Sequence, residues 1–88
     1  MKTAFRKSFL KDIQKTKNPK LKNSIREVIQ HVEDANDLSS IKNLKKLSGY
    51  KTYYRIRLGD FRIGLEISNN TVTFVTFDNR KDIYKKFP

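Results

Sequence analysis

The chain has 88 residues, and its 20 Lys and Arg against nine Asp and Glu give a formal net charge of +11 at pH 7. This charge is larger than solubility requires and indicates a polyanionic partner, while the lack of cysteine and the single histidine argue against disulfides and zinc centres. The length allows one domain over residues 1–88. No apolar run is long enough for a membrane span or a signal peptide, so we expect a cytoplasmic protein without metal or other cofactor.

The first half of the chain has the apolar periodicity of helices. Residues 1–5 are expected to add a short edge strand. Phe9, Leu10 and Ile13 recur at one-turn spacing and predict a first helix. A second helix is predicted over residues 19–35, because Asn18 can cap it and Pro19 suits its first turn. Its apolar stripe consists of Leu21, Ile25, Val28, Ile29 and Val32.

From Tyr53 the apolar period changes to two, which predicts strands. Two-residue turns at Gly59-Asp60 and Asn69-Asn70 join three strands into a meander that ends near Phe77. The spacing of Ile83 and Phe87 then predicts one or two turns of helix. The expected fold is therefore α+β: two N-terminal helices packed on one face of a small, mainly antiparallel sheet, with a short N-terminal strand, the three-stranded meander and a short C-terminal helix.

Two-residue turns also fix the strand register. Arg57 is predicted to lie opposite Arg62, with Arg55 opposite Gly64, on the sheet face turned away from the helices. Across the second turn, Leu65 should face Phe74 and Ile63 should face Thr76. Opposed like charges destabilise a sheet, so the three arginines indicate a phosphate site. The alternative is a solvated polar face in a basic protein, with Glu66 paired to Arg55, Lys51 or Arg80.

Arg80 and Tyr84 are four residues apart and would share one face of the predicted terminal helix. Both can overhang the arginines, where a tyrosine ring can stack on a base. The alternative is that Tyr84 is an ordinary residue at the edge of the core. The same two interpretations, base stacking or packing, apply to Tyr50 and Tyr53. The predicted RNA-binding residues around the site are Lys45, Lys46, Lys51, Tyr53 and Lys81.

Three segments, Leu44–Tyr50, Tyr54–Ile63 and Asn79–Tyr84, together resemble the RelE/ParE superfamily of bacterial toxins. The first two are similar to that family's Leu-Lys…Gly…Tyr-Arg-Ile-Arg-x-Gly-Asp-Tyr-Arg segment, and the third to its terminal Arg-x-x-x-Tyr. The resemblance implies a RelE-like fold and the toxin of a type II toxin–antitoxin pair. Within the superfamily, the sequence is most similar to the RelE branch, whose members cleave mRNA in the ribosomal A site without a metal.

The resemblance also implies roles for individual residues. Arg62 matches the family's transition-state arginine, Arg80 a second arginine at the phosphate or on the acid side, and Tyr84 a base-stacking tyrosine. Arg55 and Arg57 match a basic pair where several RelE-like enzymes have lysine. An arginine is a poor proton acceptor at neutral pH, so the resemblance identifies no general base.

Both toxin branches imply a cognate antitoxin. We expect an acidic, partly disordered partner that contributes an amphipathic helix. Two other functions remain open: a noncatalytic, ParE-like inhibitor of DNA gyrase and a simple basic RNA-binding module. ParE-like members generally lack the arginine and tyrosine set, so Arg80 and Tyr84 favour the endoribonuclease.

Overall fold

The computed structural model describes residues 1–88, with two α-helices and five β-strands. Single 3-10 turns span Leu38–Ser40 and Ile83–Lys85. The helices and strands, in chain order, are β1 (Lys2–Phe5), α1 (Lys7–Lys15), α2 (Pro19–Asp34), β2 (Leu44–Lys46), β3 (Tyr53–Leu58), β4 (Phe61–Ser68) and β5 (Thr71–Asn79).

The five strands form one sheet in the order β1-β5-β4-β3-β2. β1 runs parallel to β5, and the other neighbouring strands are antiparallel. The predicted α+β architecture, with its N-terminal strand and three-stranded meander, is thus confirmed. The sequence did not predict β2, which has only three residues and pairs at the edge with β3. A strand this short has too few residues to show an alternating pattern.

The two helices cover one face of the sheet. Asn18 caps α2 by accepting hydrogen bonds from the backbone N–H groups of Lys20 and Leu21. The helix ends at Asp34, one residue before the predicted end. The core combines side chains from both helices with the inner face of β3, β4 and β5, and its largest fully buried members are Phe9, Ile25, Val32, Ile56, Ile63, Leu65, Val72 and Phe74.

Side chains of α1 form hydrogen bonds with the backbone of β5 beyond the residues that pair with β1. β1 pairs only with Thr71–Phe74. Beyond it, Ser8 Oγ donates to the Val75 carbonyl, and Asp12 Oδ2 accepts from Phe77 N at 2.9 Å. Ser8 and Asp12 are four residues apart on one face of α1, so the helix replaces a strand as the partner of this edge.

The predicted register is confirmed between β3 and β4 and in the first half of β4–β5, where Leu65 faces Phe74. The predicted pairing of Ile63 with Thr76 is wrong, because Ile63 lies opposite Phe77. A bulge at Gly64/Leu65 leaves one extra residue in β5. Phe74 and Phe77 are three residues apart, and the bulge allows both rings to be buried, which strict alternation does not.

The predicted C-terminal helix is reduced to one 3-10 turn, Ile83–Lys85. The chain first turns at Asn79, whose Oδ1 accepts from the backbone N–H groups of Lys81 and Asp82 at 3.0 and 2.9 Å. This side-chain turn offers the backbone an alternative to a helix. Neither α1 nor α2 combines the length and the hydrophobicity needed to cross a membrane.

Candidate phosphate-binding site

Three arginines, Arg55, Arg57 and Arg62, form a basic face on the side of the sheet away from the helices. Arg57 lies directly opposite Arg62, as predicted, and Arg55 lies opposite Gly64. Their neighbours Ile56 and Ile63 are 2% and 0% exposed, so alternation along the strands turns the arginines outward. The turn geometry therefore brings three guanidinium groups together on one surface.

Arg62 is the centre of this group. Its Nη1 donates to the carbonyl oxygens of Gly59 and Phe61 at 2.9 and 2.8 Å, which orients the side chain over the β3–β4 turn. Desolvation lowers the pKa of Arg62, and the positive charges of Arg55 and Arg57 lower it further. Arginine remains protonated at neutral pH despite such a shift. The site thus holds crowded positive charge that an anion would relieve.

Two carboxylates on strands β4 and β5, Glu66 and Asp78, are bound to other cations. Asp78 is the β5 neighbour of Arg62, yet it forms an ion pair with Lys86 at 3.4 Å. Glu66 pairs with Arg6, so the expected pairing of Glu66 with Arg55, Lys51 or Arg80 is wrong. No carboxylate forms an ion pair with any of the arginines at the site, Arg55, Arg57, Arg62 and Arg80.

The C-terminal segment, defined here as Arg80–Phe87, brings two further side chains to the basic face. Arg80 N donates to the Asp60 carbonyl at 2.8 Å, which holds Arg80 beside the β3–β4 turn. Tyr84 is 51% exposed, whereas its neighbour Ile83 is fully buried. Arg80 and Tyr84 both lie near enough to Arg62 to affect its pKa, Tyr84 raising it and Arg80 lowering it. The other four predicted catalytic side chains, Arg55, Arg57, Arg80 and Tyr84, therefore lie within electrostatic range of the Arg62 guanidinium group.

A family model described as the ParE toxin of the type II toxin–antitoxin system, parDE, matches residues 4–84. The chain belongs to the RelE/ParE superfamily of type II toxins. Toxin RelE3 of Methanocaldococcus jannaschii is 38% identical over 89 residues, a match that covers 100% of both chains. The family assignment from the sequence is thus confirmed, and this chain is a RelE-type toxin.

Solved structures of related toxins have the same fold. The RelB-RelE antitoxin–toxin complex from Methanococcus jannaschii contains a chain 36% identical to this toxin, with a TM-score of 0.79 over 97% of this chain and 99% of that one. The archaeal RelE-RelB complex from Pyrococcus horikoshii OT3 matches at a TM-score of 0.72 and 19% identity, over 90% and 93% of the two chains. The second similarity shows the fold alone.

The predicted RNA-binding lysines do not all lie on the basic face of this toxin. Lys45 lies opposite Arg55 and extends the basic face, and the exposed Lys81 adjoins Arg80. Lys51 is exposed just before β3. Lys46 lies opposite Tyr54, whose ring packs against the core, so Lys46 projects from the helix side of the sheet and is not part of the basic face.

Tyr53 lies on the basic face within a row of aromatic rings. Its ring centroid is 5.6 Å from that of Tyr50 and 5.4 Å from that of Phe87, and both pairs meet edge to face. Sequence reasoning used Phe87 only to predict the terminal helix and missed that it lies among the site residues. The available signal was Gly64 in the middle of a strand, because such a glycine marks a close approach.

Proposed function

We propose that this toxin is a ribosome-dependent, metal-independent endoribonuclease that cleaves mRNA in the ribosomal A site. The observation that carries the proposal is the group of arginines around Arg62 that form no ion pair, with Arg57 directly opposite Arg62 and Tyr84 within electrostatic range of it. Guanidinium groups match phosphate oxygens in geometry and charge, and an exposed tyrosine ring can stack on a base. The similarity to Toxin RelE3 supports the same function.

The proposed reaction uses the RNA's own nucleophile. The 2'-oxygen attacks the neighbouring phosphorus, a new P–O bond forms, and the bond to the 5'-oxygen breaks. The products are a 2',3'-cyclic phosphate and a 5'-hydroxyl, with one proton leaving the 2'-hydroxyl and one reaching the 5'-oxygen. Neither water nor an electron carrier enters this balance, so the enzyme has to orient the groups, stabilise charge and allow the transfer of these two protons.

Each side chain then has a distinct part. Arg62, fixed by its hydrogen bonds to the turn, would bind the phosphate oxygens as negative charge increases on them, and Arg55 and Arg57 would add to that field. Arg80 would act on the side of the leaving 5'-oxygen, and Tyr84 would stack on a base next to the cut. The guanidinium groups stay protonated, so they stabilise charge and do not serve as the general base.

The test is to map cut sites on mRNA in programmed ribosomes with purified toxin. Arg62→Gln is expected to cleave about 10²–10³-fold more slowly, as when one preorganised donor is lost. Arg26→Gln is the matched control, because it removes the same charge from the exposed surface of α2. Equal cleavage by wild type and Arg62→Gln would contradict the proposal.

Gyrase inhibition is the second candidate, since the matching family model describes ParE. A supercoiling assay on the same proteins distinguishes the two functions. If wild type blocks gyrase and leaves ribosome-bound mRNA intact, the gyrase function replaces the endoribonuclease. Binding of RNA without either activity would indicate a basic RNA-binding module.

We also propose that the antitoxin binds between α1 and α2. A groove of about 390 Å³ lies there, and Leu10 on its wall is 50% exposed. Lys22 and Arg26 line the same groove, so its apolar surface is flanked by positive charge. This pattern suits an amphipathic helix with acidic flanks, and the two related toxins described above were solved in complex with RelB.

Leu10→Asp tests the groove. It is expected to weaken antitoxin binding at least tenfold, because a carboxylate then enters the apolar surface, and to leave mRNA cleavage unchanged. Asn36→Asp adds the same charge at an exposed position outside the groove and serves as the control. Unchanged antitoxin affinity in Leu10→Asp would place the contact elsewhere.

A further inference from the structure

Gly64 leaves a gap in the basic face that a side chain from another segment fills. It is a buried residue in the interior of β4, and its φ is not in the left-handed region that favours glycine. A Cβ atom added there would lie 2.8 Å from Cδ2 and 2.9 Å from Cγ of Phe87. The Phe87 ring, and not the backbone conformation, therefore requires glycine at this position.

Phe87 is tightly enclosed in this gap. It is 2% exposed, and the Tyr53 ring meets it edge-on at an interplanar angle of 82°. The preceding residue, Lys86, forms ion pairs with Asp78 and with Asp12 at 3.4 and 3.2 Å. The end of the C-terminal segment is thus fixed to β4, β3, β5 and α1 by side chains.

Side chains are also the main attachment of this segment. Its backbone N–H groups at Lys85 and Lys86 bond to carbonyls of the preceding turn, and no backbone hydrogen bond joins residues 83–87 to the sheet. The attachment at the other end is the bond from Arg80 N to Asp60 O. Between these two points lie buried Ile83 and exposed Tyr84. Without Phe87, only Ile83 and the Lys86 ion pairs would hold this end.

We propose that Phe87 and Gly64 form a ring-in-gap contact that positions Tyr84 and Arg80 over the basic face. Gly64 is the cross-strand partner of Arg55 and is two residues from Arg62, so the ring is seated among the arginines. The depth of the ring in the gap sets the distance between the C-terminal segment and the phosphate site. Phe87 is therefore a positioning residue, and this role rests on the proposed endoribonuclease function.

The experiment measures single-turnover cleavage of ribosome-bound mRNA by full-length variants, together with hydrogen exchange of the segment's amides. Phe87→Ala is expected to lower the rate constant at saturating toxin by about 10²-fold, since misplaced groups lose their effective concentration. The half-saturating toxin concentration should change less than threefold. Exchange at the hydrogen-bonded amides of Lys85 and Lys86 should become at least tenfold faster.

Gly64→Ala disrupts the same contact by changing Gly64 and not Phe87, because the added methyl group displaces the ring. It should reproduce the loss of rate, and the double variant Gly64→Ala/Phe87→Ala should be no slower than Phe87→Ala, because the methyl group then has room. Phe5→Ala is the stability control: it removes a ring that stacks on Phe74 at 5.3 Å, remote from the segment. It should lower the melting temperature and leave the saturating rate unchanged.

Two results would overturn the proposal: unchanged exchange at Lys85 and Lys86 in Phe87→Ala, or a wild-type saturating rate in that variant. Losses that multiply in the double variant also contradict the ring-in-gap contact. If wild type itself cleaves no mRNA, the proposed function fails, and the exchange data alone then decide whether Phe87 holds the segment.

Discussion

Arg57 lies directly opposite Arg62 on adjacent antiparallel strands, and neither guanidinium group forms an ion pair. Facing like charges destabilise a sheet, so the folded toxin carries an electrostatic cost that bound phosphate would remove. The arginines that we propose to bind RNA are for this reason unfavourable for folding.

The first prediction follows from that cost. Arg57→Gln should raise the free energy of unfolding by about 0.2–1 kcal/mol, because it ends the repulsion across the strand pair. Urea denaturation at low ionic strength measures the change. Arg26→Gln lowers the net charge equally on α2, so an equal gain there would assign the effect to net charge and not to the facing pair.

The second prediction concerns anions. At constant ionic strength, sulfate should raise the melting temperature of wild type more than chloride does, because it binds the folded basic face. Sulfate also stabilises proteins in general, so the diagnostic quantity is how much smaller the sulfate-induced rise in melting temperature is in Arg57→Gln/Arg62→Gln than in wild type. Arg26→Gln should retain the full response. If the double variant responds like wild type, sulfate does not act at this face.

Local patterns predicted the part of the site that depends on local geometry. The two-residue turn at Gly59-Asp60 and the alternation on either side were enough to place Arg57 opposite Arg62. The Asn18 cap likewise predicted where α2 begins. In both cases the decisive contacts lie within a few residues along the chain.

The features that were missed depend on contacts between distant segments. The bulge in β5 exists because Phe74 and Phe77 both face the helices, which the alternating pattern of the strand did not reveal. The reach of Phe87 to Gly64 joins two elements across 23 positions, and glycine in a strand indicates only that something approaches closely. The aromatic ring that fills the gap could be identified only in three dimensions.

The third prediction concerns Asp12, which joins α1 to β5. Its carboxylate is 13% exposed and accepts from Thr76 Oγ1 and Phe77 N at 2.8 and 2.9 Å. Asp12→Ala leaves these donors without a partner and should lower the free energy of unfolding by about 1–3 kcal/mol. Urea denaturation measures the loss. Lys11→Ala, an exposed neighbour on α1, should change stability little, and an equal loss there would refute the assignment.

The last prediction concerns Asp82, in the turn that carries Arg80, and its effect on the free energy of unfolding at acid pH. Hydrogen bonds from Asn79 and Lys85 hold the pKa of Asp82 below its ordinary value of 3.8. A carboxyl group with a lowered pKa in the folded state stabilises the fold at pH values above its unfolded pKa. This contribution is lost as the pH falls through the folded pKa, so the free energy of unfolding should decline below about pH 4.

Asp82→Asn removes this titration. Its unfolding free energy should vary less with pH below about pH 4 than that of wild type, and the two proteins should differ most near neutral pH, where only wild type keeps the stabilising carboxylate. Asp37 is a second source of acid sensitivity, because hydrogen bonds from Ser39 and Ser40 lower its pKa as well. The unfolding free energy of the double variant Asp37→Asn/Asp82→Asn should therefore depend less on pH than that of either single variant. Urea midpoints at several pH values test this, and superimposable curves for wild type and Asp82→Asn would show that the Asn79 turn does not depend on the carboxylate.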